Sequence, residues 1–177
     1  DKEDSGENSY YAIHNEGTMT INSGVTVSQS RHYSSMLANG WYDGNQNDSH
    51  IEAVLIINGG TFEGGLNTIK NDDWGVATIN GGTFTNFTQY VVMNWNKLDI
   101  NGGAFYHGGS TVVWSGYGNA QMDQGILNIT GGTFDGTIYK YGANGRIIIT
   151  GGTFNSDVTT YVPAGYTYDA TTGTVSK

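Results

Sequence analysis

A six-residue motif constrains the fold of this chain more than any other feature. Its first complete copy reads Ile57-Asn58-Gly59-Gly60-Thr61-Phe62. Further copies begin at Ile79, Ile100, Ile129 and Ile149, and a degenerate copy begins at Ile21. Repeats of this kind form stacked units, each of which buries its apolar face against its neighbours. The sequence therefore predicts one repetitive domain.

The spacing of the copies indicates what each unit contains. The second glycines of successive copies are separated by 36, 22, 21, 29 and 20 residues, so the basic repeat has 20 to 22 residues and two repeats carry insertions. A repeat built from a helix pair needs about 33 residues or more. Three strands of about five residues with tight turns fit this length. We therefore expect an all-β solenoid, a single-stranded parallel β-helix of about six rungs.

Alternation within each repeat predicts which side chains face the core. The apolar pair before each glycine pair has period two, as in Leu55 and Ile57, and should point inward. We expect the phenylalanines of the motif to form one buried column: Phe62, Phe84, Phe105, Phe134 and Phe154. The glycine pairs should form corners, because glycine adopts positive φ without strain.

A second pattern, an apolar residue followed by any residue and then Asn, lies between the motifs. It places Asn15, Asn39, Asn71 and Asn94 at equivalent positions. Stacked Asn side chains can bond to one another along the axis of a solenoid. We expect an inward ladder here, and the alternative is a set of ligand-binding or catalytic amides.

The domain organisation follows from the extent of the repeats. We expect residues 1–9 to be a polar leader and residues 10–177 to form a single β-helix domain. The segment 155–177 is expected to be a C-terminal cap, with a hairpin over 166–175 that turns at Thr172 and Gly173. The cap should cover the exposed strand edge of the last repeat.

Composition excludes several classes of function. The formal net charge is −9, and only seven residues are Lys or Arg, which argues against a nucleic-acid partner. No apolar run approaches the length of about 18 residues that membrane insertion requires. The chain has no cysteine, so disulfides and thiolate metal sites are excluded.

Aromatic residues concentrate at one predicted corner. Insertions at 40–50 and 114–125 and a short bulge at 72–75 all follow the Asn pattern, so they should leave the solenoid on the same side. The rings expected there are Trp41, Tyr42, Trp74, Trp95, Trp114, Tyr117, Tyr139 and Tyr141. Exposed rings stack on sugar faces, so this set predicts a carbohydrate-binding surface. The alternative is that the rings cover the side of the solenoid and pack the loops onto it.

Acidic residues in the same segments indicate a candidate binding site for Ca²⁺. Asp43, Asp48, Asp72 and Asp73 carry the oxygen ligands that Ca²⁺ prefers. The EF-hand pattern is not met, and solvated loop carboxylates are the alternative. We expect no required cofactor, with Ca²⁺ as the one candidate ion.

The run Ala12-Ile13-His14-Asn15-Glu16-Gly17-Thr18-Met19-Thr20-Ile21-Asn22 and the glycine-pair motifs resemble right-handed β-helix repeats of the pectate-lyase-like type. The tail at 151–158 and 161–166 is similar to the closing segment of such arrays. Repeats of this type occur in surface proteins of Gram-positive gut bacteria and in some phage proteins. The resemblance spans about 12–175 and implies a right-handed fold and a place on a bacterial surface, outside the cell or on a phage particle. It specifies architecture and leaves activity open.

Function is predicted from these observations together. We expect a non-catalytic binding or adhesion module that contacts a glycan or a host or bacterial surface. Two alternatives stay open: a polysaccharide lyase or glycoside hydrolase of β-helix type, and a structural spacer or virion component. An enzyme of this kind would need a basic residue or paired carboxylates on one face. The sequence does not predict an oligomeric state.

Overall fold

The computed structural model describes residues 11–30, 33–42, 51–117 and 125–177. These residues form β-strands and one short 3-10 helix, with no α-helix among them. None of their helices has the length and apolar character needed to cross a membrane. The predicted leader at 1–9 lies outside the described residues.

The strands are numbered in chain order. The first nine are β1 (Ile13–Asn15), β2 (Thr18–Ile21), β3 (Thr26–Gln29), β4 (Leu37–Asn39), β5 (Ala53–Ile57), β6 (Thr61–Gly64), β7 (Asn67–Asn71), β8 (Gly75–Ile79) and β9 (Thr83–Thr85). The others are β10 (Tyr90–Asn94), β11 (Lys97–Ile100), β12 (Ala104–Ser115), β13 (Ile126–Ile129), β14 (Thr133–Lys140), β15 (Arg146–Ile149), β16 (Gly152–Phe154), β17 (Thr167–Asp169) and β18 (Thr174–Ser176). The 3-10 helix is Thr159–Tyr161.

One sheet contains the strands that precede the glycine pairs. Its order is β2-β5-β8-β11-β13-β15, and every pair is parallel. Each strand pairs in register with its counterpart in the next repeat, so the last isoleucine of every strand falls in one row. These isoleucines are buried, as the alternation predicted.

The second sheet has twelve strands: ten form two rows, and β17 and β18 form a hairpin beside β16. The phenylalanine row contains β3, β6, β9, the beginnings of β12 and β14, and β16. The asparagine row contains β1, β4, β7, β10 and the ends of β12 and β14. The long strands β12 and β14 belong to both rows and join them. The chain is thus all-β with parallel, repeat-like pairing, as expected of a β-helix or solenoid.

The predicted phenylalanine column is confirmed. Successive rings from Phe62 to Phe154 have centroids 5.0, 4.8, 4.9 and 4.8 Å apart, with interplanar angles between 2° and 10°. All five side chains are at most 2% exposed. Because the rows are in register, each ring packs against the equivalent ring of the next repeat.

The second glycine of each motif makes the corner that brings the ring inward. Gly82 has φ of 116°. A Cβ there would lie 3.1 Å from the carbonyl oxygen of Gly60 and 3.1 Å from the ring of Phe84. The position therefore requires glycine both for its backbone conformation and for the space it leaves.

The predicted asparagine ladder is also confirmed. Asn15 donates to Asn39 at 2.6 Å, Asn39 to Asn71 at 2.9 Å, and Asn71 to Asn94 at 2.9 Å. The ladder ends where Asn94 donates to the hydroxyl of Ser115 at 3.0 Å. All of these side chains are buried, and the amides of Asn39, Asn71 and Asn94 also donate to backbone carbonyl oxygens at the starts of β5, β11 and β13 in the other sheet.

A second ladder, which the sequence analysis did not predict, lies on the surface. Asn58 donates to Asn22, Asn80 to Asn58 and Asn101 to Asn80, at 3.0, 2.9 and 2.9 Å. Thr130 continues it by donating to Asn101. These residues precede the glycine pairs, so the second ladder runs along the glycine corner.

The C-terminal segment covers the last repeat. β17 and β18 form the antiparallel hairpin that was predicted over 166–175, and β18 pairs antiparallel with β16. Val158 and Val175 are buried in the core, and Tyr161, Val162 and Tyr168 pack against it. The strand edge of the last phenylalanine-row strand is therefore paired.

Candidate functional site

The aromatic residues predicted to bind a ligand lie mainly on the outer side of the asparagine row. Its strands alternate between inward residues, such as Ile69 and Asn71, and outward ones, such as Lys70. The outward positions align in register across the row: His14, Ala38, Lys70, Met93, Trp114 and Tyr139. Trp114 and Tyr139 occupy these outward positions, and four other candidate rings contact residues that do: Trp41, Tyr42, Trp95 and Tyr141.

The first ring group surrounds Trp95. Its centroid lies 4.2 Å from that of Tyr117 and 6.0 Å from that of Tyr42. Lys70 places its Nζ 4.1 Å from the Trp95 centroid and 5.6 Å from that of Tyr42. A cation at this distance is attracted by the ring electrons. Trp95 therefore forms a cation–π contact with the ammonium group of Lys70.

Lys70 is also paired with Asp72. Its Nζ lies 2.7 Å from Oδ2 of Asp72, and the two side chains are 14% and 3% exposed. The other carboxylate oxygen of Asp72 accepts the backbone N–H of Asp73 at 3.0 Å. Because the pair is largely shielded from water, it fixes Lys70 between the rings more firmly than a surface pair would.

The phenol groups around this pair keep their protons at neutral pH. Burial, the hydrogen bond with Tyr42, and the carboxylates of Asp73 and Asp72 raise the pKa of Tyr117 to about 12. Burial also raises the pKa of Tyr11, although Lys70 acts in the opposite direction. Both hydroxyls are therefore able to donate hydrogen bonds.

The second ring group surrounds Trp114. Tyr90 stacks on it with centroids 5.1 Å apart, and Tyr139 and Tyr141 lie 4.7 and 4.9 Å away. The indole Nε1 of Trp114 donates to the carbonyl oxygen of Gly116 at 3.2 Å. Tyr139 and Tyr141 are 43% and 40% exposed, whereas Trp114 is half-buried. The stack therefore presents its tyrosines to solvent.

The two groups share one face, and all four tryptophans of the chain are half-buried. Met93 lies in register between Lys70 of the first group and Trp114 of the second. Trp41 is half-buried with its ring 6.3 Å from that of His14. Trp74 is half-buried in the turn before β8 and has φ of 62°, unusual for a bulky side chain. The ring most open to solvent in the set is Tyr42, at 63%.

The acidic residues proposed for calcium are placed differently. Asp43 and Asp48 lie outside the described residues. Asp72 pairs with Lys70, and Asp73 is buried beside it. Within the described ranges, no group of three or more His, Asp or Glu side chains is arranged to hold a metal ion.

Sequence reasoning missed Lys70 and Tyr90 as members of the ring groups. Lys70 occupies the variable position of the apolar–any–Asn pattern, so its outward orientation could have been predicted from the alternation of side chains along a strand. Its ring partners could not be predicted, because Tyr42 and Trp95 come from two different repeats. Tyr90 lies before that pattern, and no feature of the sequence indicated that it would join a ring group.

Comparisons with known proteins give no further identification: the chain matches no protein-family model, no curated protein and no solved structure.

Proposed function

We propose that the chain is a right-handed parallel β-helix of about six rungs, of the pectate-lyase-like type. The support is the in-register parallel pairing of strands that are one sequence repeat apart. We further propose that it is a non-catalytic carbohydrate-binding module, displayed outside the cell on a bacterial surface or on a phage particle. Its ligand would be a glycan of a host or bacterial surface.

The observation that carries this proposal is the exposed tyrosine pair on the Trp114 stack. Tyr139 and Tyr141 each keep about two-fifths of their surface in contact with water while packing on one indole. Rings that are ordered before binding lose little conformational entropy when a ligand arrives. Ring faces offer apolar contact and the phenol oxygens offer hydrogen bonds, which is the combination that a sugar needs.

The test is a glycan array probed with the whole chain, with and without Ca²⁺. We expect binding to at least one glycan class, and we expect Tyr141→Ala to weaken it about tenfold, since a stacked ring contributes roughly 1–2 kcal/mol. Tyr33→Ala is the matched control, because Tyr33 is 45% exposed and lies outside both ring groups. An array without hits, or equal affinity of Tyr141→Ala and the unaltered chain, would reject the proposal.

A structural spacer is the second candidate, and one observation favours it. Trp95 lies between Lys70 and Tyr117, and Trp114 contacts three tyrosines, so much of both indoles is occupied by the protein itself. Rings packed in this way stabilise the side of the solenoid. The spacer hypothesis predicts that no glycan binds and that Trp114→Ala lowers the thermal unfolding midpoint.

A further inference from the structure

A groove of about 470 Å³ lies along the outer side of the phenylalanine row, apart from both ring groups. Neighbouring strands β3, β6 and β9 form its floor, with Ser28, Glu63 and Thr85 in register. Gln29 and Phe87 also line it. Three features of these residues bear on what the groove can bind.

The first feature is a phenylalanine ring held in water. Phe87 is 71% exposed. The preceding Asn86 is buried, and its Oδ1 accepts the backbone N–H groups of Thr88 and Gln89 at 2.7 and 3.1 Å. Its Nδ2 donates to the carbonyl oxygens of Gly64 and Gly65. These four bonds fix the turn that carries Phe87, so the exposed ring is a stable part of the groove.

The second feature is a pair of acceptors that lack donors. Glu63 is exposed and makes no hydrogen bond or ion pair with any described residue. Gln29 donates from Nε2 to the carbonyl oxygen of Ser34 at 3.2 Å, but its buried Oε1 has no partner in the described part of the chain. Glu63 is exposed and open to a donor from outside. The Oε1 of Gln29 is buried in this conformation, so an outside donor reaches it only when the Gln29 side chain turns, and the missing hydrogen bond favours that turn.

The third feature is charge. The groove contains the carboxylate of Glu63, its lining includes no Lys, Arg or His among the described residues, and the whole chain carries a formal net charge of −9. A cation that approaches the groove is therefore attracted both locally and at long range.

We propose that this groove binds the guanidinium group of an arginine side chain from a peptide or protein partner. A guanidinium is planar, stacks on aromatic faces, and donates several hydrogen bonds from one rigid fork. Phe87 supplies the ring, while Glu63 and Gln29 supply the acceptors. A glycan is the weaker match, because its hydroxyls can donate to these acceptors but carry no positive charge to pair with the carboxylate of Glu63. The site is independent of the proposed glycan surface.

The test is an NMR titration of the ¹⁵N-labelled whole chain with the peptide acetyl-Gly-Arg-Gly-amide. The matched peptide carries citrulline in place of arginine, which keeps the shape and removes the charge. We expect the arginine peptide to shift resonances at 28–30, 63 and 85–88, and the citrulline peptide to bind more weakly. Glu63→Gln and Phe87→Ala should each weaken arginine binding about fivefold. Glu52→Gln, which removes an exposed charge elsewhere, and Tyr141→Ala should leave it unchanged.

Several outcomes would overturn the inference. These are equal binding of the two peptides, unchanged affinity in both groove variants, or shifts confined to other residues. An oligosaccharide that shifts the groove resonances when the arginine peptide does not would assign the groove to a glycan instead. Thermal unfolding midpoints of the variants check the fold, and Glu63→Gln keeps the test valid if Phe87→Ala proves unstable. Loss of glycan binding in Tyr141→Ala has no bearing on this site.

Discussion

Equivalent inward residues of successive repeats make the same contact with one another. Phe105 packs between Phe84 and Phe134, and Asn71 bonds between Asn39 and Asn94. Each such residue therefore supports two neighbours at once. Substitution in the middle of a row should cost more than substitution of a similar residue that lies outside it.

Phe105→Ala should destabilise the fold by about 3–5 kcal/mol, because it leaves a ring-sized cavity in a closely packed column. Chemical denaturation gives the change in the free energy of unfolding. Phe87→Ala is the control: its ring is 71% exposed, and we expect a change below about 0.5 kcal/mol. Similar losses in the two variants would contradict the buried column.

Asn71→Ala should cost about 2–3 kcal/mol, because it removes partners from buried groups on both sides of the ladder. The orphaned groups include Oδ1 of Asn94 and the carbonyl oxygen of Lys97. Asn101→Ala offers the matched comparison, since its ladder is exposed and water can replace the lost bonds. We expect that variant to lose less than about 1 kcal/mol. Equal losses, measured by urea denaturation, would show that burial does not govern the energy of the ladders.

The phenylalanine column and the buried asparagine ladder could both be predicted from the sequence. When repeats stack in register, residues at equivalent positions of successive repeats become neighbours. The surface ladder of Asn22, Asn58, Asn80 and Asn101 carries an equally regular signal. It was missed because these residues were interpreted only as part of the glycine corner. The partners of Lys70 could not be predicted, because they depend on how loops from separate repeats pack together.

At the scale of elements, the hairpin of β17 and β18 closes one end of the sheet. Gly173 begins the return into β18 with φ of 70°, and a Cβ there would lie 2.2 Å from the carbonyl oxygen of Phe154. The same glycine accepts the N–H of Phe154 at 2.7 Å. The hairpin therefore docks on the last ring of the column through its own backbone.

Gly173→Ala should loosen this cap. Gly165→Ala is the matched control, because Gly165 has φ of 89° but nothing within 4 Å of an added Cβ. Both variants carry the strain of a left-handed alanine, about 1 kcal/mol. The clash should add roughly 1–3 kcal/mol at Gly173 alone. Thermal unfolding of the two proteins measures the difference, and equal midpoints would show that the cap tolerates the displacement.

The hairpin was predictable because its turn residues and apolar residues are local in sequence. The continuous strand β12, which joins the phenylalanine row to the asparagine row, could not be predicted from the sequence. The segment from Tyr106 to Thr111 contains two glycines, and pairing with β14 stops at Tyr106 and resumes at Thr111 after a shift of register. A neighbouring strand supplies the partners that local preference alone would not favour.

At the scale of the whole molecule, the two ends of the solenoid differ. The strands β1, β2 and β3 stand at one end, and each pairs on a single side within the described residues. At the other end, β16 is paired on both sides, with β14 and β18. Stability should therefore be uneven along the axis.

Amide hydrogen exchange should reveal this gradient. We expect the slowest exchange in the central strands β7, β8, β10 and β11, which have neighbours on both sides. Peptides that cover β3 at 26–29 should exchange faster than peptides that cover β16 at 152–154, whereas β15, which pairs only with β13 in the described part of the chain, should exchange like β2. Mass spectrometry of the labelled chain gives both rates, and equal protection of β3 and β16 would refute the asymmetry.

The two asparagine ladders also have a joint consequence for the electrostatics of the solenoid. In the buried ladder each amide donates toward the later repeat, from Asn15 to Ser115, whereas in the surface ladder each amide donates toward the earlier one, from Asn101 to Asn22. Their side-chain dipoles therefore point in opposite directions along the axis. An α-helix adds to one macrodipole with every turn, but a repeat that carries both ladders adds two opposed dipoles. Such a protein can grow longer without its side-chain ladders building opposite charge at its two ends.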